Sequence, residues 1–150
     1  MGHLMGEFIL KITNLEVCKG PKQTDCNDMS ARLENGTTLL LNVHVKEDVI
    51  PNRGKVEAML NNKPLLRLQM KNPCDHLFMK PLFQRIYNVT NCQFKKGHYN
   101  LSINIEDVAQ RYYGGMFIYG TYTFKSVFYN DQCNFSCVTL EVTFSPKKSK

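Results

Sequence analysis

Six cysteines are the residues of this sequence best suited to covalent or metal chemistry, at positions Cys18, Cys26, Cys74, Cys92, Cys133 and Cys137. Structural zinc sites take their cysteines in tight pairs such as Cys-x2-Cys, often with histidines at set spacings. Here the one close pair is Cys133 and Cys137, and no histidine lies near it in sequence. An even number of cysteines without metal-ligand spacing favours disulfides, which form in oxidising compartments. We therefore expect disulfides, no metal site and no cofactor.

Four Asn-x-Ser/Thr sequons provide a second kind of chemistry, at Asn35, Asn88, Asn100 and Asn134. Such an asparagine accepts an N-linked glycan only in a secreted or lumenal protein. With the cysteines, these sequons predict a secreted, extracellular glycoprotein whose signal peptide has been removed.

The histidines and acidic residues form no catalytic pattern. His44 and His98 fall on the polar side of alternating segments, and Asp75-His76 suits the start of a helix followed by a surface histidine. The sequence contains no Gly-x-Ser-x-Gly, His-Glu-x-x-His or phosphate-binding glycine motif. We expect no catalytic residues and a binding protein rather than an enzyme.

The chain is mildly basic, with a formal net charge of +6. Its cations are scattered, and only Lys95-Lys96 and the C-terminal 147–150 bring them together. Nucleic-acid-binding proteins concentrate lysine and arginine into a stripe. We expect no nucleic-acid partner, whereas a receptor or a membrane surface is compatible with this charge.

Period-two alternation of apolar and polar residues dominates the elements that must position these groups. It is clearest over 39–45, 99–105 and 138–144, and it predicts strands with one buried and one solvated face. Further strands are predicted at 9–17, 55–60, 64–70 and 116–130. The first hairpin turns at Asn61-Asn62, and the last segment bends near Gly120.

One segment, 75–88, has apolar residues at helical spacing, with Asp75 as N-cap and with Pro81 able to split it into two short turns. About seven strands and one short helical insert predict an all-β, immunoglobulin-like antiparallel sandwich. We expect a single domain over 9–146, a basic tail at 147–150, and an N-terminal 1–8 that replaces a removed leader.

Nine phenylalanines, seven tyrosines and seven methionines supply much apolar material for one small sandwich. They could all fill a solid core, or some could line an apolar cavity between the sheets. Composition leaves both alternatives open.

Two segments carry a resemblance to a known family. The first is 88–99, with Cys92, Phe94 and Lys95-Lys96-Gly97 before a strand; the second is 130–144, where Cys137 begins the terminal alternating strand. This part of the chain resembles the ML (lipid-recognition) family, and it looks closest to an uncharacterised secreted arthropod branch. The 75–88 insert is longer than the corresponding loop of the family, and Cys133 has no clear counterpart.

The resemblance implies two antiparallel sheets opened around an apolar lipid, and a disulfide between Cys74 and Cys92. Cys18 and Cys26 would then join Cys133 and Cys137. Both Cys18–Cys137 with Cys26–Cys133, which we prefer, and the crossed pairing remain open.

The expected ligand site combines one face of the late hairpin with residues that oppose or flank it, namely Leu101, Ile103, Ile118, Tyr122, Phe124, Phe128, Leu140 and Val142. Lys95 and Lys96 are expected at the rim, where they would face the head group of an amphiphile. The predicted function is a secreted carrier for a lipid or another hydrophobic small molecule such as a fatty acid, a sterol or a pheromone-like compound. The alternative is a glycosylated protein-interaction module, a receptor accessory or inhibitor, with a solid core.

Overall fold

A computed structural model describes residues 5–77, 79–89, 91–115 and 117–147. Half of the N-terminal segment 1–8 (1–4), most of the basic tail (148–150) and positions 78, 90 and 116 lie outside the described residues. The strands are β1 (Met5–Gly6), β2 (Phe8–Val17), β3 (Asn27–Glu34), β4 (Thr38–Val45), β5 (Arg53–Leu60), β6 (Lys63–Lys71), β7 (Gly97–Asn104), β8 (Phe117–Ile118), β9 (Gly120–Tyr129) and β10 (Asn134–Pro146).

The strands form two antiparallel sheets that face each other as a sandwich. One sheet has five strands in the order β2-β10-β9-β5-β6, the other has three in the order β3-β4-β7, and β1 pairs with β8 as a short ribbon. The predicted all-β sandwich is therefore confirmed, and each strand predicted from alternation is found. Strand β3 was not predicted, because its burial pattern alternates weakly and most of its residues are exposed.

Helical structure differs from the prediction. The segment 75–88 is not one helix: it holds a 3-10 turn at Pro73–Asp75 and a π-helical turn at Leu82–Ile86, so Asp75 ends a turn rather than capping a helix. Pro81, at the N-cap of the second turn, divides the segment, as its missing N–H requires.

The α-helix, α1 (Ile105–Tyr112), lies elsewhere, directly after β7. Asn104 caps it by accepting a 2.9 Å hydrogen bond from the Asp107 N–H. Sequence analysis assigned Ile105 to the preceding strand, because alternation continues to that residue and hides the helix start.

The predicted hairpin turn and the predicted bend are both present. Asn61 and Asn62 both have positive φ, 50° and 65°, as a two-residue hairpin turn of the type I′ class demands. Gly120 has φ 143°, and a Cβ on it would lie 2.9 Å from atoms of Asn61 and Leu60. Glycine is required there because the hairpin tip approaches the backbone closely.

Two separate groups of buried side chains form the core. The large cluster includes residues of both sheets and of the 72–96 segment: Leu41, Val43, Val45, Val56, Met70, Phe83, Phe94, Ile103, Phe128 and Phe135. The small cluster lies at the other end of the five-stranded sheet and consists of Phe8, Leu10, Ile12, Ala109, Tyr122, Val142 and Phe144.

Three disulfides use all six cysteines: Cys18–Cys137, Cys26–Cys133 and Cys74–Cys92. The pairing is the preferred one of the two left open by the sequence. The first two bonds fasten the 18–26 segment to β10, and the third closes the base of the segment that contains the π-helical turn. None of the described helices is both long and apolar enough to cross a membrane.

Candidate ligand-binding site between the sheets

A row of apolar side chains crosses the middle of the inner face of the five-stranded sheet. Strand pairing aligns one residue from each strand in this central row: Leu15, Leu140, Phe124, Ala58 and Leu66. Ala58 is buried, but Leu66 is 39% exposed and the other three are only half-buried. An apolar row with this much exposure is unusual at the centre of a sandwich.

The inner face is buried on both sides of the central row, but at different distances from it. Towards one end, Ile12, Val142 and Tyr122 are buried in the small cluster. Towards the other end, the adjacent row contains the half-buried Val138 and Ser126, and the row beyond it contains Phe128 and Met70, which are buried in the large cluster. Because neighbours on the same strands are buried, the exposure of the central row arises from a gap between the clusters and not from a loose strand.

The other sheet and the helix that follows it also present half-buried apolar side chains, from β7 and α1. Leu101 on β7 and Val108 on α1 are half-buried and pack on the large cluster. Ile105, at the start of α1, packs against both clusters and so connects them. The candidate site is therefore apolar on both sides.

A β-bulge in β2 brings Leu15 into the row. The register places Val142 opposite Ile12 and Glu141 opposite Asn14, so Thr13 is the extra residue. Its hydroxyl donates to the Glu141 carboxylate at 2.7 Å, which fixes the bulge. Without the bulge, strict alternation from Ile12 would direct Asn14 inward and Leu15 to solvent.

The polar groups near the site are neutral. The Tyr122 hydroxyl donates to the Ile118 carbonyl at 2.8 Å, and burial raises the pKa of Tyr122, although this backbone contact lowers it in part. Ser126, half-buried on the inner face of β9, provides a hydroxyl one row away. The central row itself contains no charged side chain.

The residues predicted for the site are spread over several places. Phe124 and Leu140 are half-buried in the central row and pack on the small cluster, whereas Leu101 is half-buried and packs on the large cluster. Tyr122 and Val142 belong to the small cluster, and Phe128 and Ile103 to the large one. Ile118 lies 40% exposed on β8. Leu15 and Leu66 are not among the predicted site residues. The bulge at Thr13 hides the facing of Leu15, whereas Leu66 alternates with Leu68 and Met70 and could have been found from that pattern.

Lys95 and Lys96 lie beside Phe94, at the end of the sandwich filled by the large cluster. Both are exposed; the Lys96 N–H donates to Asp48 at 2.8 Å, and the Lys95 carbonyl accepts from the Tyr99 hydroxyl at 2.7 Å. Phe94 packs against Phe135, which is not part of the central row. A role for these lysines at the rim of the site stays a prediction.

The four sequon asparagines differ in accessibility. Asn35, Asn88 and Asn100 are exposed, although residue 90 of the second sequon lies outside the described part of the chain. Asn134 is only 4% exposed, and its amide bonds to the Lys22 backbone and to Asp25. A glycan at Asn134 does not fit this conformation.

Two depressions lie outside the sandwich. One is on the outer face of the five-stranded sheet, and the other is bordered by Asp48 and Asp131. Among the described residues, no group of three or more His, Cys, Asp or Glu side chains could hold a metal ion.

Comparison with known proteins gives the following. No family model matches the sequence, and no curated protein matches it. Among solved structures, the chain is similar to that of chicken MD-1 complexed with lipid IVa, at 17% sequence identity and a TM-score of 0.39. The match covers 91% of this chain and 98% of the chicken chain.

Proposed function

We propose that this protein is a secreted binding protein for a lipid or another hydrophobic small molecule, which it holds between its two sheets. The observation that carries the proposal is the half-exposed central row between two sealed clusters. A ligand with an apolar chain would remove this row from water, at about 25 cal/mol for each Å² buried. Fatty acids, sterols and pheromone-like compounds all have such apolar parts.

The disulfides support an extracellular setting and an open interior. Two of them join segments more than a hundred residues apart in sequence, with separations of 119 and 107. Cross-links that close such long loops stabilise by roughly 4–5 kcal/mol in the chain-entropy account. That stabilisation can offset contacts missing between the two clusters.

The resemblance of segments 88–99 and 130–144 to the ML family points to the same function and to the same absence of catalysis. Membership of the family, and a place in its arthropod branch, belong to this proposal.

One observation favours a different function. The two core clusters fill much of the inter-sheet space, and neither depression of the described surface lies between the sheets. A glycosylated interaction module with a solid core would have these properties. It would bind a receptor through its surface and would carry no lipid.

Native mass spectrometry of protein secreted by eukaryotic cells separates these functions. The carrier predicts an adduct with the mass of a lipid, which organic extraction removes and a second mass spectrum identifies. Protein that repeatedly emerges without an adduct, and that takes up neither a fluorescent fatty acid nor a fluorescent sterol, would favour the interaction module.

A further inference from the structure

The depression on the outer face of the five-stranded sheet is lined by three lysines. It has a volume of about 270 Å³, and Lys19, Lys55 and Lys125 line it together with Glu57 and Val127. The volume is near the lower end of the roughly 300–1,000 Å³ typical of small-molecule sites. It suits a single sugar unit or one charged group of a larger ligand.

Strand register explains why Lys55 and Lys125 lie near each other on the outer face of the sheet. Lys55 lies on β5 opposite Val127 of β9, and Glu57 lies opposite Lys125. Val56 and Ala58, the alternate residues of β5, are buried in the sandwich, so Lys55 and Glu57 face outward. The depression is therefore on the side of the sheet remote from the central row.

The third lysine comes from the 18–26 segment, which is held rigidly over the sheet. Two disulfides fasten the segment at Cys18 and Cys26. Between these two cysteines, the backbone of Lys22 is bound by the Asn134 side chain, which accepts from the Lys22 N–H at 2.8 Å and donates to the Lys22 carbonyl at 2.9 Å. Gly20 lies so close to the Asn134 side chain that a Cβ could not fit. A wall ordered in advance reduces the conformational entropy lost on binding.

The depression has a net positive charge, because its lining contains three lysines and one carboxylate, that of Glu57. None of its three lysines has a carboxylate within the 4.0 Å of an ion pair among the described residues. Glu57 forms an ion pair with Arg67, whose Nε lies 3.5 Å from the Glu57 carboxylate. Ammonium groups without protein partners are available to an anionic ligand.

Further cations continue the depression along the sheet. Arg53 and Lys71 pair across β5 and β6, Lys55 follows opposite Gln69 in the next row of the outer face, and Arg67 lies in the row after that, opposite its ion-pair partner Glu57. Alternate residues of a strand are about 7 Å apart, so these side chains form a line and not a single point. A linear array of cations matches a linear polyanion.

We propose that this surface binds a sulfated polysaccharide, with one sulfate group held by Lys19, Lys55 and Lys125. Lysine ammonium groups donate charge-assisted hydrogen bonds to sulfate oxygens as they do to carboxylate or phosphate. An anionic membrane is less suitable, because peripheral membrane sites also present apolar side chains that insert. The lining has two apolar side chains, Val127, which is only 8% exposed, and the exposed Pro21, so it offers one small ring and no large apolar side chain to insert.

The test measures binding of a size-defined heparin octasaccharide by the full chain at 0.15 M salt, roughly physiological ionic strength. The variant Lys19→Gln/Lys55→Gln/Lys125→Gln should lose at least about tenfold in affinity, and its affinity should depend less steeply on salt. The control Lys11→Gln/Arg32→Gln/Lys80→Gln removes the same charge from exposed positions elsewhere and should lose about twofold or less. Lys→Arg at the three site positions should restore binding, and unchanged thermal unfolding shows that each variant is folded.

Several outcomes would overturn the proposal. Equal losses of heparin affinity in both triple variants would show that net charge alone, and not the depression, determines binding. Chemically desulfated heparin that binds as well as heparin would rule out sulfate recognition. Vesicles containing phosphatidylserine that bind through these lysines, with no affinity for heparin, would assign the surface to membranes.

Discussion

Asn134 belongs to a sequon and also has a structural role, and its hydrogen bonds favour the structural role over glycosylation. Its side chain makes three hydrogen bonds of 2.8–2.9 Å that hold the 18–26 segment against β10. Each such bond contributes about 1 kcal/mol, and partners left buried without one cost more. A glycan would require the amide nitrogen to leave this network.

We predict that Asn134→Ala lowers the free energy of unfolding by roughly 2–4 kcal/mol, measured by urea denaturation. Ser136→Ala is the matched control, because it destroys the sequon but leaves the amide network intact. It should change stability by less than about 1 kcal/mol and leave the glycan mass unchanged. Loss of one glycan chain in Ser136→Ala would show that Asn134 is modified.

Phe124 is the residue of the central row whose substitution tests the site most directly. Phe124→Asp places a charge in the gap, and we expect it to abolish uptake of a fluorescent fatty acid, because an unpaired carboxylate resists burial beside an apolar chain. The far-ultraviolet circular dichroism spectrum should stay unchanged. Leu66→Asp, at the exposed edge of the row, should weaken uptake several-fold with little effect on folding.

Thr123→Asp provides the control, since Thr123 is adjacent in sequence but faces the outer side of β9. The Thr123→Asp variant should take up the fluorescent fatty acid as well as the wild type does. If the folded Phe124→Asp and Leu66→Asp variants still took up the probe, the ligand would not contact the central row.

At the scale of elements, the 72–96 segment closes one end of the sandwich with aromatic side chains. Phe83, in its π-helical turn, packs against Tyr87, Phe94 and Phe128. Burial raises the pKa of Tyr87 to about 12 from 10.0. The protonated phenol is therefore favoured in the folded state.

Because the pKa of Tyr87 is higher in the folded state than in the unfolded state, the free energy of unfolding falls at high pH. Below about pH 10 the phenol is protonated in both states and its contribution is complete; between pH 10 and 12 only the unfolded state loses the proton, so the contribution declines. We predict that Tyr87→Phe, which has nothing to ionise, loses less stability between pH 9 and 11 than the wild type does. Denaturant unfolding at both pH values measures the difference, and parallel losses in the two proteins would contradict it.

Alternation in the sequence predicts most strands because one face of each is buried and the other is not. The same signal fails where a residue is added or a helix begins. Thr13 and Leu65 are bulge residues, and each reverses the facing of the residues that follow it. The central row was therefore only partly predictable: Phe124, Leu140 and Leu66 follow from alternation, whereas Leu15 depends on a bulge set by tertiary contacts.

For the whole molecule, a ligand bound between the sheets should stabilise the fold. A ligand that binds only the native state at a hundred times its Kd adds about 2.7 kcal/mol. For a domain of this size that corresponds to a rise in Tm of roughly 5–10 °C. We predict such a rise with the lipid identified by extraction, measured by scanning calorimetry. A solid-core module would show no shift with any lipid tested.

The order of strands in the five-stranded sheet also sets when the protein can fold. β2, the first long strand, has β10 as its neighbour in that sheet, and two disulfides join the same ends of the chain. A chain synthesised from its N-terminus must therefore hold β2 unpaired until the last strand has emerged. Pairings so distant in sequence form slowly, because the loop between them must close first. The sheet can thus be completed only after β10 has been synthesised, and any truncation before residue 134 would leave the apolar face of β2 exposed to aggregation.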